Sequence, residues 1–193
     1  MKLILASASP RRSELLRQLG VVFQCDPAEI DESPQPDERP EDYVARMARE
    51  KAEAVSVRYP DADAAVLAAD TTVVMAGEIL GKPRDHFHGL SMLERLSGRT
   101  HSVFTAIWLT GPSGSSGEVV ATRVSFLPLT RRVCEAYLAT EEPWDKAGAY
   151  GIQGLGGAFV RSIEGSYSNV VGLPLSEAWQ LLAANGVETV LGR

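Results

Sequence analysis

The sequence predicts an α/β protein built on a mixed, twisted sheet flanked by helices. Short apolar, β-branched runs alternate with segments of helical period along the chain. At least two neighbouring strand pairs are joined by turn-rich segments, so hairpins accompany the crossovers and the sheet is not purely parallel. The 193 residues are 45% hydrophobic and 23% charged, enough apolar material for one sizeable core and a single domain over residues 1–193. That balance excludes a disordered chain, a fibre and a disulfide-stapled miniprotein.

Leu3 to Ala6 reads as a buried strand. Ser9-Pro10 then supplies an N-cap and a first-turn proline, Leu15, Leu16 and Leu19 form an apolar stripe, and Gly20 stops the helix. Val21 to Cys25 reads as a second strand. Residues 26–40, with four prolines and six acids, read as a flexible loop. From Glu41, Val44, Met47, Ala48, Ala52 and Val55 recur at helical spacing until Tyr59-Pro60. Ala64 to Ala69 is a continuous apolar strand ending at Asp70, prolonged by Thr71 to Met75 and closed by a turn at Ala76-Gly77-Glu78.

A helix carrying Leu90, Leu93 and Leu96 follows, with Gly98 beyond its end. Ser102 to Leu109 and Glu118 to Phe126 read as strands joined by a long mobile loop over residues 111–117. Val133 to Leu138 reads as helix, residues 148–157 as a glycine-rich turn, Phe159 to Ile163 and Tyr167 to Val171 as strands, and Leu175 to Ala184 as a terminal helix.

Lys and Arg total 19 against 25 Asp and Glu, a formal charge of −6. Binding to a nucleic-acid polymer needs a basic surface and is not expected; a small anion in a locally basic site is compatible with this balance. No run is long enough for a membrane span or a secretion signal, and the two distant cysteines, Cys25 and Cys134, read as reduced, buried side chains, so a cytoplasmic protein with no membrane partner is expected.

Five constellations can carry chemistry. Ser7-Ala8-Ser9-Pro10-Arg11-Arg12, between a strand and a helix, reads as a phosphate cradle or as a capped helix with solvated arginines. Asp70, at the carboxyl end of an apolar strand, is placed to hold a divalent metal or orient a water, or is a turn aspartate. Gly81-Lys82-Pro83-Arg84 presents a cation or a solvated lysine, and Lys51, beside an apolar helix face, either snorkels outward or meets an anion. Glu29-Ile30-Asp31-Glu32 offers a carboxylate to share a metal with Asp70, or a solvated acidic run. Asp145 to Gly154 lets backbone approach a ligand, with Gln153 as donor and acceptor, or is a plain glycine-rich turn. No zinc spacing, nucleophile elbow, Walker loop or dinucleotide fingerprint occurs.

In order, Ser7-Ala8-Ser9-Pro10-Arg11-Arg12, Tyr43-Val44-Ala45-Arg46 with Lys51-Ala52, Ala69-Asp70-Thr71, Gly81-Lys82-Pro83, Ser97-Gly98 with His101, and Asp145 through Gly172-Leu173-Pro174 resemble the Maf family over nearly the whole chain. The resemblance implies an inosine triphosphatase-like fold of two lobes with a central cleft. It implies a nucleoside triphosphate pyrophosphatase that cuts between the α and β phosphates, needs Mg²⁺ or Mn²⁺, and forms a homodimer. It implies Asp70 as general base, with Lys51 and Lys82 also catalytic. Ser7, Arg12, Lys51 and Lys82 are implied to bind the phosphates, and Glu32 and Asp70 to hold the metal. Arg11, Thr71 and Gln153 match the positions that separate the family's branches, and they place the chain in the dTTP/UTP branch rather than the 7-methyl-GTP branch. Modified pyrimidine nucleotides are further candidate substrates. The family's link to septum formation and division arrest leaves a second reading, a nucleotide sensor without turnover.

Overall fold

The computed structural model describes residues 1–60 and 63–192. The elements are β1 (Lys2–Leu5), α1 (Pro10–Gln18), β2 (Phe23–Cys25), α2 (Pro40–Ser56), β3 (Ala64–Met75), β4 (Glu78–Leu80), α3 (His86–Leu96), β5 (Thr100–Gly111), β6 (Gly114–Phe126), α4 (Arg131–Leu138), β7 (Val160–Glu164), α5 (Tyr167–Val171) and α6 (Leu175–Ala184). The strands form a seven-stranded mixed sheet in the order β2-β1-β3-β5-β6-β7, with β4 paired to β3. The mixed α/β architecture is the one the sequence predicts.

The chain forms two compact units. The first contains Met1–Asp70, Thr105–Val120 and the chain from Gly172 onward; the second contains Thr71–Phe104 and Ala121–Val171. In the first unit β1 lies between β2 and β3, parallel to both, with Ile4 opposite Gln24 on one side and Val66 on the other. Strand β1 is buried from Leu3 to Leu5, and Ile4, Ala6, Val66 and Ala68 pack with Ala52 and Val55 of α2. Because the three strands are parallel, their mutual pairing ends along one edge, at Leu5, Cys25 and Leu67. From that edge leave the Ser7 turn into α1, the loop after β2, and Asp70 near the middle of β3. Helix α1 opens as expected, with Ser9 accepting from the Arg12 N–H and Pro10 at its start. Gly20 ends it at φ +67°, where a side chain would also strike Val190.

In the second unit β3 and β4 form a hairpin whose two-residue turn, Ala76-Gly77, has φ of +53° and +82°, the type I′ pattern that matches strand twist. Strands β6 and β7 pair antiparallel from Arg123 opposite Glu164 to Phe126 opposite Val160. Leu90, Leu93 and Leu96 of α3 pack with Tyr137 and Leu138 of α4 and with Phe126 and Phe159. His101 is buried here, 2.8 Å from the Tyr150 hydroxyl and edge-on to Phe126. Burial pushes its pKa down to about 4, so it is neutral near pH 7.

The glycine-rich segment is a coil with short 3-10 turns at Ala147–Ala149 and Leu155–Phe159. Glu142 organises it. Its carboxylate accepts from the Tyr137 hydroxyl at 2.8 Å and from the N–H groups of Leu155 and Gly156 at 2.8 and 3.0 Å. Gly154 is required because a Cβ there would lie 2.2 Å from a Glu142 oxygen.

Several local expectations need correction. Tyr167–Val171 is a short helix, not a strand. Ser166 caps it by accepting from the Asn169 N–H, and the buried Asn169 amide donates to the Val103 carbonyl and the Thr122 hydroxyl; these side-chain bonds outweigh the β-branched composition. The expected long mobile loop is a two-residue turn, Pro112-Ser113, because β5 and β6 continue to Gly111 and Gly114. Glu78 opens a strand rather than ending a turn. Residues 26–39 do form a loop, but a tethered one, and of the two free cysteines Cys134 is buried while Cys25 is exposed. Among the described residues no helix is long and apolar enough to cross a membrane.

Burial raises the Glu142 pKa, but the hydrogen bonds from Gly156, Tyr137 and Leu155 outweigh it, so the net value lies below the ordinary glutamate range. A depressed carboxylate stabilises the fold above its unfolded pKa of about 4.3 and loses that contribution as pH falls through the folded value. Glu142→Ala is expected to cost about 1.5–3 kcal/mol at pH 7. Thermal melts of both proteins between pH 7 and pH 3 should show the gap narrowing toward pH 3; a gap of constant size would contradict the charge-assisted role.

Candidate active site

The edge where the pairing of β2, β1 and β3 ends gathers charged side chains in the first unit. Asp70 ends the buried run Ala64–Ala69 and is itself only 7% exposed. Lys51 lies on the apolar face of α2 among Met47, Ala48, Ala52 and Val55 and is 8% exposed. A lysine buried on such a face needs an anion, and it has two. Its Nζ lies 2.7 Å from Asp70 Oδ1 and 2.7 Å from Glu32 Oε1. Of the two readings open for Lys51, the structure selects the anion partner, and it is a pair of carboxylates.

Arg12 belongs to the same group. Its Nε donates to the Gly172 carbonyl at 2.9 Å and its Nη1 to the Ser7 hydroxyl at 3.4 Å. Ser7 is buried and also accepts from the Ser9 N–H at 3.1 Å. Helix α1 thus starts with Ser7, Ser9 and Arg12 held together, and its first-turn N–H groups and positive dipole end lie on this edge. Burial lowers the Arg12 pKa, while Asp70 opposes that change and Arg11 adds to it. Burial raises the Asp70 pKa above the ordinary carboxylate range, and Lys51 and then Arg12 limit the rise. Asp70 is therefore a stronger base than an exposed aspartate, and it lies beside cations that favour its ionised form.

Ser7, Arg12, Glu32, Lys51 and Asp70 are thus brought together, with Arg11 within electrostatic reach of Arg12. The other expected residues lie in the second unit. Thr71 follows Asp70 in β3 and is partly buried; Lys82 is exposed between Gly81, whose carbonyl accepts from the Gly148 N–H at 3.1 Å, and buried Pro83; Gln153 is exposed in the glycine-rich coil.

Sequence reasoning quoted Tyr43 and Arg46 within a motif but gave them no role, and passed over Glu38. Tyr43 donates to the Glu32 carbonyl at 2.9 Å, and Arg46 clasps Glu38 through two bonds of 2.6 and 2.7 Å. Burial and then the negative charges of Asp70 and Glu32 hold the Tyr43 hydroxyl well above its ordinary pKa. The available signal was that Tyr43 and Arg46, three residues apart, share a face of α2.

Among the described residues no three His, Cys, Asp or Glu side chains converge as a metal cage. Glu32 and Asp70 do fit a narrower demand. Both reach one cation, Lys51 Nζ, so their oxygens already lie close together. Two carboxylates completed by water and substrate phosphates are a hard-oxygen set suited to Mg²⁺ or Mn²⁺.

A dTTP/UTP pyrophosphatase of Methylobacillus flagellatus is 52% identical over 96% of this chain and 94% of its own. The dTTP/UTP pyrophosphatases of Escherichia coli K12 and Myxococcus xanthus are 53% and 54% identical, covering 94% and 96% of this chain and 91% and 93% of theirs. A solved dITP/XTP pyrophosphatase from Mycobacterium abscessus overlaps 67% of this chain and 76% of its own at 19% identity, with a TM-score of 0.42. The model of the Maf-like protein family matches residues 2–185, from β1 through α6. With that span matched, the chain belongs to the Maf family.

Proposed function

We propose that this protein hydrolyses dTTP and UTP between the α and β phosphates, releasing the nucleoside monophosphate and pyrophosphate. The observation that carries the reading is the Lys51 ammonium, held at 2.7 Å by both Asp70 and Glu32 on the edge where Ser7 and Arg12 open α1. The names of relatives more than 50% identical over nine-tenths of both chains support the choice of substrate.

A triphosphate is a polyanion, and its transfer is governed by positioning and charge stabilisation. The α1 N-terminus, Ser7 and Arg12 bind phosphate oxygens through N–H, hydroxyl and guanidinium donors. Lys51 stabilises the charge that develops and keeps Asp70 ionised. Asp70 accepts the proton of the attacking water as its oxygen bonds to phosphorus, and pyrophosphate departs with the bridging oxygen. A bound Mg²⁺ or Mn²⁺, held by Glu32 and Asp70, supplies neutralisation of phosphate charge. By resemblance to the family, Lys82 takes a further phosphate contact, and Arg11, Thr71 and Gln153 favour pyrimidine nucleotides over 7-methyl-GTP. The same resemblance supports a homodimer acting on a small nucleotide, the two distant cysteines support a cytoplasmic setting, and the net charge of −6 argues against a nucleic-acid polymer as partner.

A panel of nucleotides assayed for pyrophosphate release should show dTTP and UTP preferred. Tight binding with no release would instead make the protein a nucleotide sensor, and a preference for 7-methyl-GTP would refute the assignment of Arg11, Thr71 and Gln153. Asp70→Asn is expected to lower kcat by about 10²–10⁴ with the fold intact by circular dichroism; near-normal turnover would remove Asp70 from the base role. Excess chelator should abolish turnover, with recovery on adding Mg²⁺ or Mn²⁺, and full activity in chelator would exclude the metal.

A further inference from the structure

Tyr43 and Arg46 have no part in the chemistry just described, yet they bond α2 to the loop that carries Glu32. Tyr43 Oη donates to the Glu32 carbonyl at 2.9 Å, and Arg46 Nη2 donates to the Ser33 carbonyl at 3.1 Å. Arg46 Nε and Nη2 also donate to the two oxygens of Glu38 at 2.6 and 2.7 Å, and Glu38 in turn accepts from the Gln35 N–H at 2.9 Å. The Arg46 and Glu38 side chains are only 13% and 9% exposed. One guanidinium therefore grips the loop at both residue 33 and residue 38.

Glu32 is in a different situation. Its side chain is 52% exposed and lies in a segment without helix or strand. A half-exposed carboxylate on a mobile loop would lose most of its pairing energy to ordering and solvent screening. Fixing the backbone at Glu32 and Ser33 removes that ordering cost before any ligand arrives.

We infer that Tyr43 and Arg46, with Glu38, are positioning residues that strap the loop to α2 and so present the Glu32 carboxylate to the divalent cation it shares with Asp70. The inference rests on the metal-dependent reading above. Supporting residues that orient metal ligands typically contribute 10–100-fold to metal affinity or activity.

The test is Mn²⁺ binding, read by electron paramagnetic resonance of free Mn²⁺ with the non-hydrolysable α,β-imido analogue of dTTP present. Arg46→Ala is expected to weaken Mn²⁺ binding about 10–100-fold, with faster amide exchange over residues 31–38 and unchanged exchange in β1 and β3. The milder Glu38→Gln should act in the same direction and covers the case that Arg46→Ala fails to fold, while Arg46→Lys should recover part of the affinity. Because Arg46 acts through Glu32, Arg46→Ala should cost nothing further in a Glu32→Gln background. Equal losses in both backgrounds, or Mn²⁺ binding within twofold of wild type, would overturn the inference, as would a wild-type protein that binds no Mn²⁺. A wild-type protein that binds Mn²⁺ but releases no pyrophosphate would sink the proposed reaction and leave the strap standing.

Discussion

A buried ammonium needs a counter-charge, and that requirement organises the site. Lys51 lies among Met47, Ala48, Ala52 and Val55 on the inner face of α2, where an unpaired cation is costly. Asp70 lies equally deep near the middle of β3, after an apolar run, and would be costly alone. Each makes the other tolerable, and removing one partner of such a buried pair typically costs about 3–5 kcal/mol. Glu32 makes the charge balance locally acidic by one, and Arg12 restores it. The resulting group is neutral as a set but full of strong, closely spaced charges, which suits a site that must accept a polyanion and a cation together.

The sheet explains why these residues meet at all. Strands β2, β1 and β3 run parallel, so their pairing ends at one edge, at Cys25, Leu5 and Leu67, where the chain leaves β2 and β1 and β3 runs on. Ser7 and Arg12 follow β1, Glu32 follows β2, and Asp70 follows Leu67 by three residues within β3. Residues 63 positions apart in sequence, Ser7 and Asp70, thereby reach one place without any long-range design beyond strand register. Ligands gather at the carboxyl ends of parallel strands for this reason.

Much of this was legible from the chain. An apolar run that ends in a single aspartate marked Asp70, and a lysine out of place on an apolar helix face marked Lys51. Ser9-Pro10 marked the start of α1 through capping chemistry that acts over three residues. The failures have a common cause, which is distance along the chain. Tyr167–Val171 reads as strand by composition, and the Ser166 cap together with Asn169 bonds to Thr122 and Val103, more than 40 residues away, makes it a helical turn. The Arg46–Glu38 clasp looks like two ordinary surface charges until the loop folds back over α2. Glu142 looks like one of several acids before Trp144, and its role emerges only when Tyr137, Leu155 and Gly156 close around it.

The central claim is that Arg12, Lys51, Glu32 and Asp70 form one site for a triphosphate and its metal. A crystal structure with the α,β-imido analogue of dTTP and Mn²⁺ tests it most directly. Mn²⁺ is expected on Glu32 and Asp70 oxygens, with phosphate oxygens within hydrogen-bond distance of Arg12 and Lys51. A nucleotide bound elsewhere, with the Asp70–Lys51–Glu32 bridge undisturbed and no metal on either carboxylate, would contradict it.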